Sequence, residues 1–161
     1  MQCYTINIEM RGVIIMIWVI TINSNICRIY SCKNRHQLTL INEINHPENR
    51  LRDIELTSDK PGRYSAGISK RGGAYSQETD PKEIKINEFI RQIAKELDLA
   101  RKRNDYTHLI LISDDHTGGL LFQYINKNVK AMVKNNIHKD LLHLSKRELE
   151  DFLKIHAQYP G

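Results

Sequence analysis

The chain has 161 residues, 40% hydrophobic and 27% charged, ordinary values for a single globular domain with a sizeable core and room for one mobile loop. No internal repeat or low-complexity tract runs through it, which excludes solenoid and fibrous architectures. A net charge of +5 and a pI near 9.1 favour acidic partners, such as nucleic acid or an anionic membrane surface.

Residues 1–12 read as an N-terminal extension upstream of a start at Met10 or Met16, and residues 13–157 as a single domain. The run from Met10 to Ile22, "MRGVIIMIWVITI", is too short to span a bilayer, and no small-residue cleavage site follows it. Its β-branched residues favour a buried strand over Val13–Ile20. Turn residues at Asn23–Asn25 lead to a second strand, Ile26–Cys32. After a turn at Lys33–His36 comes a third, Leu38–Ile44. Short turns between three strands imply an antiparallel meander. Cys3, Cys27 and Cys32 are an odd set, and the last two fall on opposite faces of one strand. That argues against a disulfide framework and points to a reducing, cytoplasmic compartment.

From His46 to Asp80 the apolar periodicity stops, and residues 47–79 read as a long mobile loop. Order resumes at Asp80, a good N-cap followed by Pro81, with Glu83 three residues after the cap. An apolar stripe of Ile86, Phe89, Ile90, Ile93, Leu97 and Ala100 predicts a helix over 81–103. "THLILIS" (Thr107–Ser113) reads as a buried strand, Gly119 to about Lys127 as a helix and Val133–His138 as a last strand. Ser145 with Glu148 makes a capping box, and Leu144 with Leu149 a hydrophobic staple, opening a helix over 146–157. The order β-β-β-loop-α-β-α-β-α predicts an α/β fold with a mixed five-stranded sheet flanked by helices.

Three stretches carry a family resemblance: "HPENRLRDIELTSDKPGR" (His46–Arg63), "TDPKE" (Thr79–Glu83) and "HKDLLHLSKRELEDFL" (His138–Leu153). Together they resemble the bacterial host-attachment protein family over about residues 16–155. That family is in turn distantly similar to the middle domain of archaeal and eukaryotic peptide-release factors, which is related to ribonuclease-H-like folds. The resemblance implies a Gly-Gly-Gln loop set directly before a long helix, where the glutamine positions water against the peptidyl-tRNA ester. Here Gly72, Gly73 and Gln77 hold that place, although Ala74, Tyr75 and Ser76 separate the second glycine from the glutamine. At most, this implies hydrolysis of a peptidyl-tRNA or nucleic-acid ester, with Gln77 as the catalytic candidate.

Residue chemistry adds its own candidates. Between Lys60 and Gln77 the charged residues are Lys60, Arg63, Lys70 and Arg71, with no acid, and Tyr64 and Tyr75 are interleaved. Cations beside aromatics suit phosphate contact with base stacking. The ribosome, tRNA or another RNA is the expected partner, and a solvated loop is the bland alternative. Arg50, Arg52, Asp53, Glu55, Asp59 and Arg63 mix signs, so they could instead pair with one another; Asp53 and Glu55 could also form an acid–base pair.

"SDDHTGG" (Ser113–Gly119) places Asp114, Asp115 and His116 where a strand meets a helix, a position for ligands or, more simply, for a cap. His138 and His143 flank Asp140, but no second metal half-site has recognised spacing. No phosphate-loop lysine or dinucleotide fingerprint is present, so neither metal nor cofactor is expected. A non-enzymatic adaptor or regulatory factor in attachment to host cells is the alternative.

Overall fold

The computed structural model describes residues 8–10, 13–34, 36–46 and 80–159. Two short strands, β1 (Ile8–Met10) and β2 (Val13–Ile15), pair antiparallel. Strands β3 (Ile17–Ile22), β4 (Ile26–Lys33) and β5 (Gln37–Asn45) follow as an antiparallel meander. Strand β6 (His108–Ser113) then adds parallel to β3, and β7 (Val133–His138) parallel to β6. The resulting mixed sheet runs β5-β4-β3-β6-β7.

The first expected strand, Val13–Ile20, is two strands with a break at Met16. Met16 gives up strand pairing because its backbone is bound elsewhere. Its N–H donates to Thr107 Oγ1 at 2.9 Å, and its carbonyl accepts from the Thr107 and His108 amides at 2.8 and 3.1 Å. β3 therefore starts at Ile17 and runs two residues beyond the expected end.

Alternation along the strands splits the core into two layers. Ile20, Ile22, Cys27, Ile29, Leu109 and Leu111 face one side; Ile17, Val19, Tyr30, Cys32, Ile110 and Ile112 face the other. Cys27 and Cys32 thus lie on opposite faces, and burial pushes their thiols up to about 12 and about 11.

Helix α1 (Pro81–Lys102) covers the first layer with buried Ile86, Phe89, Ile90, Ile93, Ala94, Leu97 and Ala100. Its start is the expected one: Asp80 Oδ1 accepts from the Lys82 amide at 3.0 Å, and Pro81 fills the first turn, where no intrahelical acceptor waits. Its far end is fixed by buried Tyr106, whose hydroxyl donates to the Leu97 carbonyl at 2.7 Å while its ring lies 5.0 Å from Trp18.

The expected helix from Gly119 to Lys127 is replaced by two, α2 (Asp115–Tyr124) and α3 (Lys127–Met132). Asp114 caps the first, accepting from the Thr117 amide at 2.8 Å. Asn126 caps the second, accepting from the amides of Asn128 and Val129 at 3.0 Å. Gly118 lies inside α2, where an added Cβ would stand 2.3 Å from Ser113 Oγ, so close approach of helix to strand requires glycine there.

On the opposite layer, α4 (Lys146–His156) buries Leu149 and Leu153. Its capping box forms as the sequence predicts, with the Ser145 amide donating to Glu148 Oε2 at 2.8 Å and the Glu148 amide to Ser145 Oγ at 3.3 Å. Glu150 ties α4 to the sheet edge by accepting from the Leu38 amide at 2.8 Å. Both edge strands are irregular. Ile41 of β5 and Lys134 of β7 fall at register shifts, a disruption that discourages further strand addition.

Candidate functional site

One row of residues crosses the sheet at the carboxyl end of β3: Ile44, Cys27, Ile22, Ser113 and His138. β3, β5, β6 and β7 all end at this edge. In parallel α/β sheets the carboxyl edge is where ligands gather, because loops and helix N-termini converge there. The chain leaves this edge at His46 and re-enters the described structure at Asp80. His46 is anchored by its amide, which donates to the Asn25 carbonyl at 2.7 Å, and by its ring, 5.2 Å from Phe89 of α1.

Ten of the sequence-predicted site residues lie between those two points, outside the described residues: Arg52, Asp53, Lys60, Arg63, Lys70, Arg71, Gly72, Gly73, Tyr75 and Gln77. The other two, Asp114 and His138, stand at the ends of neighbouring strands but do not meet. Asp114 is occupied with the Thr117 amide. His138 Nδ1 lies 2.9 Å from Asp115 Oδ1, in a pair whose side chains are 55% and 89% exposed, too solvated to add much stability. Asp140 bridges the edge by accepting from Asn23 Nδ2 at 3.1 Å and from the Leu142 amide at 3.1 Å.

These carboxylates therefore cap and tie the ends of elements. Among the described residues, no group of three or more His, Cys, Asp or Glu side chains is placed to hold a metal ion. Ser113 Oγ and Thr21 Oγ1 are buried and lack hydrogen-bond partners. They face different layers, Ser113 towards Gly118 of α2 and Thr21 towards the α4 side, so they do not form a shared site.

Away from the edge, charges cluster differently. Asp98 of α1 accepts from Arg101, Lys102 and Asn126 at 2.8–2.9 Å. The Lys102 ammonium, then Asn126 and Arg101, hold its carboxyl well below the usual carboxylate range. The Arg91 guanidinium sits 4.9 Å over the Tyr124 ring, and the Tyr124 hydroxyl hydrogen-bonds Asn87 Oδ1 at 2.6 Å. Sequence reasoning missed this α1–α2 region. Residues 116–139 contain four lysines and no carboxylate, which marks the adjoining α3, with Lys127 and Lys130, as basic.

The sequence matches the family described as "Protein required for attachment to host cells" over residues 18–153. The chain belongs to that family. No curated protein matches it. Solved structures similar to this host-attachment family member include an archaeal translation termination factor, aRF1 (12% identity, TM-score 0.45, 76% of this chain and 29% of that one). Another is an archaeal protein (12% identity, TM-score 0.47, 88% of this chain and 34% of that one). This chain thus spans about a third of the length of each. No described helix of the host-attachment domain is long and apolar enough to cross a membrane.

Proposed function

We propose that this host-attachment family member acts by contacting RNA, with the ribosome or tRNA as the partner class, through its basic 60–77 segment. The observation that carries the reading is the run of Lys60, Arg63, Lys70 and Arg71 with no acid between them, in the stretch of sequence that joins His46, at the sheet's carboxyl edge, to Asp80, the cap of α1. A same-sign run beside tyrosines has no counter-charge of its own, and phosphates supply one. Gly72, Gly73 and Gln77 end the segment, and Gln77 is the residue proposed to orient water at an ester.

Co-sedimentation with ribosomes and binding of labelled RNA across a salt series test this. The wild type should bind at roughly 50 mM salt and release as salt rises. Each lost phosphate contact should flatten the log–log salt slope by about 0.7, so K60A/R63A/K70A/R71A should flatten it by about 3. A wild-type chain absent from ribosomal fractions and from RNA at low salt would overturn the reading. Release of peptide from peptidyl-tRNA, compared between wild type and Gln77→Ala, tests the hydrolytic part separately.

The family description supports a second reading, a non-enzymatic adaptor or regulatory factor in attachment. Cell fractionation separates its versions: a surface-exposed protein would support direct attachment, and a strictly cytosolic one an indirect role.

A further inference from the structure

Helices α1, α2 and α3 frame an open groove of about 260 Å³, lined by Arg91, Ala94, Lys95, Asp98, Tyr124 and Asn126. Its charge is one-sided. Asp98, the only carboxylate among the described lining residues, is already bound by Lys102, Arg101 and Asn126. Lys95 is exposed on the wall. Lys127 and Lys130 are exposed on α3, beside and one turn beyond Asn126. Arg91, Lys95, Lys127 and Lys130 form no ion pair with any described residue, in contrast to the paired cations Arg28, Arg103 and Lys154. Arg91 is held by the Tyr124 ring, and the three lysines are left as unpaired positive charge, Lys95 on the groove wall and Lys127 and Lys130 on the adjoining α3.

A second feature gives the groove a shape preference. The Tyr124 ring holds the Arg91 guanidinium above it at 4.9 Å, and Asn87 fixes the tyrosine through its hydroxyl at 2.6 Å. A guanidinium held against an aromatic ring can present its other plane as a stacking surface for an unpaired base. A bilayer would call for a broad apolar face beside the charge, whereas five of the six lining residues carry polar or charged groups.

We propose that this groove binds single-stranded nucleic acid, with Lys95, Lys127 and Lys130 on successive phosphates and a base stacked on the Arg91–Tyr124 pair. The contact is separate from the 60–77 segment and does not rest on it, since every residue named lies on α1–α3.

The test uses the full chain and a fluorescent oligouridine of about 12 nucleotides, within the range one such groove can occupy. K95A/K127A/K130A should weaken binding at least tenfold at roughly 50 mM salt and flatten the salt slope by about 2. Arg91→Lys keeps the charge but loses the plane, and should weaken binding about tenfold with the slope unchanged. These exposed side chains leave the core untouched, so the variants should melt as the wild type does. Wild-type affinity and slope in the triple variant would overturn the proposal, even if K60A/R63A/K70A/R71A abolished binding. So would a wild type that ignores the oligonucleotide while binding phosphatidylserine vesicles. Loss of binding in the α1–α3 variants with the 60–77 variant unaffected would support the groove and count against the segment.

Discussion

The carboxyl edge of the sheet and the α1–α3 groove are both rich in polar side chains, but they use them in opposite ways. At the edge, Asp114 caps α2, Asp140 bridges to Asn23, and Asp115 pairs with His138. At the groove, Arg91 and Lys95 in the lining and Lys127 and Lys130 on the adjoining α3 have no carboxylate partner among the described residues, while Asp98 is bound by three neighbours. The edge has the residue types of a catalytic or metal site, yet its local geometry gives them structural employment. The groove has an ordinary composition and unexplained charge. Satisfaction of polar groups, more than their identity, separates a scaffold from a contact surface.

If that contrast holds, edge substitutions will change stability and leave nucleic-acid affinity alone. The largest effect should come from Gly118→Ala, which forces a methyl group to within 2.3 Å of Ser113 Oγ; overpacking of this kind costs about 1–3 kcal/mol. Urea denaturation should show that loss, and Ser113→Ala added to Gly118→Ala should recover most of it, because the next contact, Ser113 Cβ, lies at 3.5 Å. Full recovery of stability with loss of RNA binding in the double variant would break the contrast.

Asp114→Ala should cost about 1 kcal/mol through the lost cap, and Asp114→Ser should restore most of it, again by urea denaturation. Asp98→Asn probes the groove side. Its carboxyl is held low by Lys102, Asn126 and Arg101, so its stabilising contribution is present above the ordinary aspartate value near about 4 and is lost as pH falls below it. Acid unfolding of the variant should be less steep below about pH 4 than that of the wild type, and its affinity for oligouridine should rise, because the groove loses the only carboxylate among its described lining residues. Weaker binding would contradict the charge argument. The smallest effect belongs to Asp115→Asn, which should change stability by less than about 0.5 kcal/mol, because both partners of its pair with His138 are solvated.

Much of the scaffold was legible in the sequence because its signals are local. Asp80–Pro81 and Ser145–Glu148 mark the starts of α1 and α4, and Val133–His138 is the last strand as expected. The misreadings came from tertiary demands. Met16 leaves the strand to serve Thr107, a residue 91 positions away. The helix start was read at Gly119, but α2 already begins at Asp115, and Gly118 is needed inside it because Ser113 lies against it. Asn126 is a strong cap, but a two-residue break between short helices leaves little periodicity to detect. Of the candidate residues, Asp114 caps α2 and His138 lies against Asp115. The groove was missed because its residues come from α1, α2 and α3, and no single window of sequence contains them.

The position of residues 47–79 carries a consequence for folding and for variation. The meander β3-β4-β5 needs only neighbouring hairpins, whereas β6 must return across the whole intervening chain to pair with β3. The Glu150 bond to Leu38 and the His46 ring against Phe89 close the chain across the same stretch, and doubling the length of a connection adds only about 0.6 kcal/mol to such a closure. Insertions and deletions between positions 47 and 79 should therefore be cheap and leave the β3–β6 seam as it is.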